Sequence, residues 1–373
     1  MVGTLSKGLG VVFSLLLLLA GCDSTGQSED LLAGPPCSVP ASESATAARD
    51  DVIVVRGDDA PCAIAFEAVQ TISGSLLNGT LPRPPITVAP GGRWLTATYE
   101  DGEVAVWSPS GKLERLIGKG PGEGPGEFGR VRELIVDSLA GTIHVFPQER
   151  RVEVYSLDGD YLDWMPLPTY PTPVVRLSDG TLAMPGTSGS SKIWLIIGDS
   201  VFATGPAARI SMPGELRAGD EGVWTAESPW YEFDHHILPS GQVDWSIRRE
   251  VDWFPKLSDE EGKEYPGPLL RGFTIDLERR MVFSRIELVE DPDAPSSPIP
   301  ARIPRGESQE VFGRYYDGVV EAFTLDGELV ASTRFDDWWH MPRPIGGGNF
   351  WFRLIGDEES IEILKPTLVE NTR

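Results

Sequence analysis

His235 and His236 stand side by side, and two adjacent imidazoles are the first residues to test for metal chemistry. Successive side chains on a strand point to opposite faces, so an extended pair cannot close on one ion. The remaining histidines, His144 and His340, are distant in sequence, and no Cys-x-x-Cys or mixed Cys/His ligand spacing occurs. The histidines therefore read as structural groups, and no metal or cofactor is expected. The glycine-rich run Gly118–Phe128 could be mistaken for a phosphate cradle. It lacks G-x-x-x-x-G-K-[ST], and its two prolines remove amide donors. No G-x-S-x-G elbow is present, and 56 Asp and Glu residues make any single carboxylate pair unspecific. The sequence points to no catalytic residue.

The elements that would position any site are set by an internal repeat. Val104–Gly111, Val152–Gly159, Asp234–Gly241 and Val320–Gly327 each run through apolar or alternating residues into a Ser/Asp-Gly turn. A looser copy turns at Gly198. Glycine there permits the positive φ of a tight hairpin. The turns at 111, 159, 198 and 241 are spaced by 48, 39 and 43 residues, the length of one four-stranded propeller blade. The longer gap to Gly327 contains the proline-rich insertion Asp291–Arg305 and one blade with inner strands near Leu269–Ile275 and Met281–Glu287. A last blade is expected near Met341–Ile345, Asn349–Leu354 and Ser360–Leu364. Its missing strand would come from Val52–Val55 or Ala63–Ile72, closing the ring and removing exposed edges. The expected fold over 51–369 is all-β: a six-bladed β-propeller of four-stranded antiparallel blades, with no helical periodicity.

Residues 1–50 have a different character. Lys7 is the only charged side chain before Cys22, and Leu9–Leu19 is apolar apart from Gly10 and Ser14. That run is too short to span a bilayer as a helix and matches the core of a secretory signal. The following Leu19-Ala20-Gly21-Cys22 resembles the lipobox of bacterial lipoproteins. The resemblance implies removal of residues 1–21, diacylglycerol on the Cys22 thiol and a membrane anchor in the cell envelope, with the body facing the periplasm. Residues 22–50, rich in Ser, Ala, Gly and acids, read as a flexible tether. Cys37 and Cys62 remain, in a compartment that permits disulfides. A bridge would close a loop worth roughly 3.5 kcal/mol; two free thiols are the alternative.

One stretch resembles a propeller family more specifically. The Gly-Pro-Gly-Glu-Phe ending at Phe128 leads to Leu134–Asp137, then Gly141–Val145, then Arg151–Tyr155. This is similar to NHL-repeat and TolB-like six-bladed propellers, with Phe128 plugging the core between blades. Phe146-Pro147 stands where that pattern commonly has an aspartate. Metal-dependent lactonases of the family use carboxylates with asparagines in the channel, whereas here only Asn78, Asn349 and Asn371 exist.

The net charge of −24 carries no basic run, so nucleic acid is a poor partner. Trp107, Tyr155 and Phe323 share one repeat position and read as core. Trp230, Tyr231, Trp253, Trp338, Trp339 and His340 fall at strand ends or in connections. Adjacent aromatics cannot all face inward, and exposed Trp and Tyr favour recognition; packing under loops is the alternative. The expected function is a monomeric, non-catalytic binding or scaffolding lipoprotein that uses one rim to hold a protein, peptide or glycan of the envelope. The rival is a propeller enzyme, a metal-dependent lyase or hydrolase with its site in the channel.

Overall fold

Both faces of every blade must be covered when blades stack side by side, and the chain supplies apolar residues on both. A computed structural model describes Cys37 and residues 52–371 except 58, 74–81, 99–101, 172, 187–191, 199, 205–214, 220–221, 227–230, 255–266, 297–298, 300–307, 337, 339 and 355–359. The lipobox and nearly all of the tether lie outside the described residues. Two N-terminal strands, β1 (Val52–Arg56) and β2 (Cys62–Ser73), precede the first blade. That blade is β3 (Pro82–Ala89), β4 (Arg93–Thr98), β5 (Val104–Trp107) and β6 (Leu113–Ile117). The second is β7 (Val131–Asp137), β8 (Thr142–Pro147), β9 (Arg151–Ser156) and β10 (Tyr161–Pro166). The third is β11 (Val175–Arg176), β12 (Leu182–Pro185), β13 (Ile193–Ile197) and β14 (Ser200–Ala203).

The fourth blade is β15 (Glu215–Ala218), β16 (Gly222–Ala226), β17 (Glu232–Ile237) and β18 (Gln242–Glu250). The fifth is β19 (Leu269–Asp276), β20 (Met281–Glu290), β21 (Tyr316–Thr324) and β22 (Leu329–Phe335), with the short helix α1 (Ser308–Phe312) inside its insertion. The last blade has β23 (Arg343–Pro344), β24 (Phe350–Leu354) and β25 (Ser360–Glu370), and its outer strand is β2, paired antiparallel with β25 from Cys62↔Glu370 to Ser73↔Ser360. Of the two candidate closing strands, Ala63–Ile72 is therefore the donor. Val52–Val55 does something else: β1 adds to β18 as a fifth, parallel strand of the fourth blade. Cys37 and Cys62 form a disulfide, which fastens the preceding chain to the start of β2.

The core is divided among the seams. Six buried clusters each join two neighbouring blades, and the one uniting Ile72, Trp351 and Ile363 with Ile86 and Trp107 closes the last blade on the first. Phe128 is fully buried at the seam of the first two blades. Trp107 and Phe323 are fully buried and Tyr155 nearly so, as their shared repeat position predicts. The insertion packs rather than hangs free: Ile299 joins Leu288, Tyr316 and Trp338 in a seventh cluster.

Candidate ligand-binding face and central channel

A four-stranded meander sends its first-to-second and third-to-fourth connections to one face of the ring. The second-to-third connections and the crossings between blades go to the other. The turn glycines 111, 159, 198, 241 and 327, with φ of 77°, 88°, 56°, 74° and 83°, all make third-to-fourth hairpins. The first face is therefore built of tight turns. The second carries the long segments, among them Gly118–Phe128, the connections that leave β18 at Val251 and β22 at Asp336, and the described part of the insertion between β20 and β21. Tyr231, Trp253, Trp338 and His340, four of the proposed recognition residues, belong to connections on this second face.

The structure corrects the picture of those aromatics as one rim surface. Tyr231 is buried to 3 % exposure among Phe233, Phe254 and Phe323. Its hydroxyl donates to Glu321 Oε2 at 2.5 Å and shares a 2.8 Å bond with Ser284 Oγ. Glu321 in turn receives Arg249 Nε and Nη2, each at 3.0 Å, with both charged side chains essentially inaccessible. This network fastens the fourth blade to the fifth, which makes Tyr231 a core residue. Burial, followed by the Glu321 charge, pushes its phenol well above the ordinary value. Trp338 is also buried, in the cluster under the insertion, and its carbonyl accepts from Arg285 Nη2 at 3.2 Å. Trp253 is half-buried, 6.2 Å from the Tyr231 ring, and lines a small cavity of about 230 Å³ with Arg334 and Asn371. His340 is exposed. Trp230 and Trp339 lie outside the described residues.

The other chemical candidates resolve into structural roles. His235 Nδ1 bonds Asp244 Oδ1 at 2.7 Å and its ring packs against Trp224 and Trp245. His236 turns away, with Nε2 2.8 Å from Thr225 Oγ1 and Nδ1 3.1 Å from Gly241 O. These bonds all stay inside the fourth blade rather than joining two blades. Burial drives the His236 pKa down. The glycine-rich loop closes on itself: Arg151 donates to the carbonyls of Gly122 and Glu123 at 3.3 Å and to that of Glu127. Its carbonyls thus surround a cation, the reverse of a phosphate cradle. Gly102 has φ 89°, and a Cβ there would collide with the Gly120 backbone, so glycine is required where the two connections cross. Asn349 Nδ2 caps its own turn through Gly346 O and Gly347 O. Among the described residues no group of three or more His, Cys, Asp or Glu is arranged to hold a metal ion.

What sequence reading missed is the charged lining of the channel. A cavity of about 1030 Å³ runs along the axis and is lined by all six innermost strands, β3, β7, β11, β15, β19 and β23. Its cationic lining residues are Arg130, Arg132, Arg176, Arg217 and Lys365. Among the described residues, Glu133, Asp276 and Glu278 oppose them. Two of the arginines are wall fasteners. Arg176 Nη2 donates to Asp137 Oδ1 at 2.8 Å, joining the second and third blades. Arg217 Nε donates to Phe273 O at 2.8 Å, joining the fourth and fifth. Asp137 Oδ1 also accepts the Leu139 and Ala140 amides, each at 2.9 Å. Burial opposes its ionisation, but these bonds and Arg176 prevail and hold its pKa below the usual carboxylate value.

Arg130 and Arg132 are different. They stand at the start of β7, at the long-connection face, and neither has a carboxylate partner among the described residues. Arg130 is exposed, and Arg132 Nη2 reaches only the neutral Gln148 Oε1 at 3.1 Å. Burial, then the charges of Arg130 and of Arg83 on β3, hold the Arg132 guanidinium below its ordinary range. Basic residues from several blades of an acidic chain are thus gathered by the ring. The available sequence signal was Arg130-Val131-Arg132 directly before a predicted innermost strand.

The comparisons agree with this architecture. The model of the DUF5128 family, described as a 6-bladed beta-propeller, matches residues 92–194, from the turn before β4 into β13. The chain is a six-bladed β-propeller. Among solved structures, this propeller is similar to an exported protein from Bacteroides fragilis, with 13% identity, a TM-score of 0.52 and coverage of 86% of this chain and 99% of that one. A DUF4221-family protein from Bacteroides vulgatus is 10% identical, with a TM-score of 0.48 and coverages of 82% and 99%. Virginiamycin B lyase from Staphylococcus aureus is 14% identical, with a TM-score of 0.45 and coverages of 82% and 100%. No curated protein matches the propeller.

Proposed function

We propose that the protein is an exported, lipid-anchored binding or scaffolding protein that holds a ligand of the cell envelope on the long-connection face of its propeller. The observation that carries this reading is the asymmetry of the ring. One face is made of tight hairpins, whereas the other gathers the long segments around a cavity mouth with two guanidiniums that no carboxylate among the described residues neutralises. Connections presented by a rigid scaffold are where binding residues concentrate, and a cavity of this size suits a small or oligomeric ligand. The anchor follows from the lipobox-like Leu19–Cys22, and the described Bacteroides fragilis protein is likewise named as exported.

Two measurements test the reading. Cys22→Ser should abolish palmitate labelling and move the protein to the aqueous phase in detergent partition; unchanged labelling overturns the anchor. A photo-cross-linking side chain at Glu123, exposed on the long-connection face, should capture an envelope ligand. The same group at Asp158, exposed in a tight hairpin, should not. Equal capture at both positions overturns the assignment of the face.

A further inference from the structure

Resting on that reading, we infer that the channel mouth at the start of β7 is an oxyanion site, with Arg130 and Arg132 as the donors to a carboxylate or phosphate group of the ligand.

The charge balance is the first support. Across the chain Lys and Arg are outnumbered 32 to 56, yet among the described residues of the cavity wall cations outnumber acids five to three. Of the three acids, Glu133 places Oε1 on the Leu134 amide and Asp276 is bound by Arg279, which weakens their claim on the mouth arginines. Acidic groups are abundant in the chain, yet Arg130 and Arg132 have no carboxylate partner among the described residues.

Backbone geometry is the second support. The β7–β8 register shifts between Val131 and Glu133, so Arg132 sits in a bulge; bulges re-aim side chains and recur beside binding sites. Across the seam, β3 is irregular between Arg83 and Ile86, where Pro84 and Pro85 line the cavity. Proline has no amide donor. Those two prolines contribute shape and no amide donors, so next to them the planar forks of the two arginines set the chemistry. Guanidinium is the group best matched to two-oxygen recognition of carboxylate or phosphate.

Electrostatics is consistent with the geometry. Arg132 is disfavoured by burial and by the like charges of Arg130 and Arg83, a repulsion that a bound anion would relieve.

The test is isothermal titration of the detergent-solubilised full chain with inorganic tripolyphosphate and with tetragalacturonate, and with maltotetraose as the neutral comparator. At least one anion should bind, maltotetraose should not, and added NaCl should weaken binding. Arg130→Gln and Arg132→Gln should each raise the Kd by about tenfold, the loss expected for one charge-assisted contact. Arg130→Lys should fall between, and Lys112→Gln, exposed in the tight β5–β6 hairpin of the opposite face and outside the cavity wall, should leave the Kd unchanged. The stronger of the two anions tells phosphate from carboxylate. Failure of both to bind the unaltered chain overturns the inference, as does undiminished binding by an Arg130→Gln/Arg132→Gln double variant that melts like the parent. If Glu123 cross-links a ligand while both titrations are blank, the face stands and the oxyanion site falls.

Discussion

Tyr231→Phe isolates the network that joins the fourth and fifth blades. The substitution keeps the ring, with its contacts to Phe233, Phe254 and Phe323, and removes only the hydroxyl. What is lost is a 2.5 Å donation to a buried carboxylate and the bond to Ser284. A hydrogen bond to a charged group is worth about 1.5–3 kcal/mol. An unfolding entropy of about 2 cal/mol/K per residue over about 320 residues makes 1 kcal/mol equivalent to roughly 1.5 °C. The expected fall in Tm is therefore about 2–4 °C. Glu321→Gln should be worse, because Arg249 is then buried without its counter-charge, at about 3–5 kcal/mol or roughly 4–8 °C. Both are read by calorimetry. The double variant should cost less than the sum, since the two residues share one interaction. A Tyr231→Phe protein that melts with its parent, while losing ligand captured at Glu123, would refute the argument and return Tyr231 to the recognition surface.

Three further outcomes follow from the same geometry. The His236 pKa is driven down by burial, so the folded protein holds the neutral ring while the unfolded chain takes a proton below about pH 6.5. Stability should then decline as pH falls from there towards the lowered folded value, and His236→Gln should flatten that part of a Tm-against-pH curve. Replacing Cys37 and Cys62 by Ser should lower Tm by about 5 °C, from roughly 3.5 kcal/mol of loop entropy, with non-reducing peptide mapping confirming the bridge in the parent. Deleting residues 59–73 should leave β25 as an unpaired edge and give aggregates on size exclusion, whereas deleting 52–57 should leave the ring monomeric, because β18 keeps its four-stranded blade.

The repeat was legible because one physical demand recurs: five third-to-fourth hairpins need a residue at positive φ, and glycine marks each. Phe128 was legible for a similar reason, as a large apolar residue stranded in a polar, glycine-rich loop. Burial on both blade faces hid other features. β21 is buried at every position, so its acidic Glu321 looks in sequence like any exposed charge of an alternating strand. Nor could Tyr231 be separated from its neighbour Trp230 without knowing that Arg249 and Glu321, far apart in the chain, meet beside it. The channel was the least legible part. Its arginines come from the innermost strands of three blades, and beyond the pair Arg130 and Arg132 no local pattern records that the ring brings them to one axis. The choice between the two N-terminal strands was equally hidden, since both are short apolar runs and only register against β25 and β18 tells them apart.

The disulfide gives the N-terminus a mechanical property. Cys37 precedes β1 and Cys62 opens β2, so the covalent path from the N-terminal segment jumps directly onto the last blade. A pull on the chain ahead of Cys37 enters the ring at Cys62 and is taken by the long β2–β25 ladder, while the five pairs of β1 with β18 carry none of it. Reduction would reroute the same pull through β1, the shorter ladder on the outside of the fourth blade, which would peel first. The bridge is thus a load bypass, and the fifth strand of that blade is sheltered from tension at the very end of the molecule where tension would be applied.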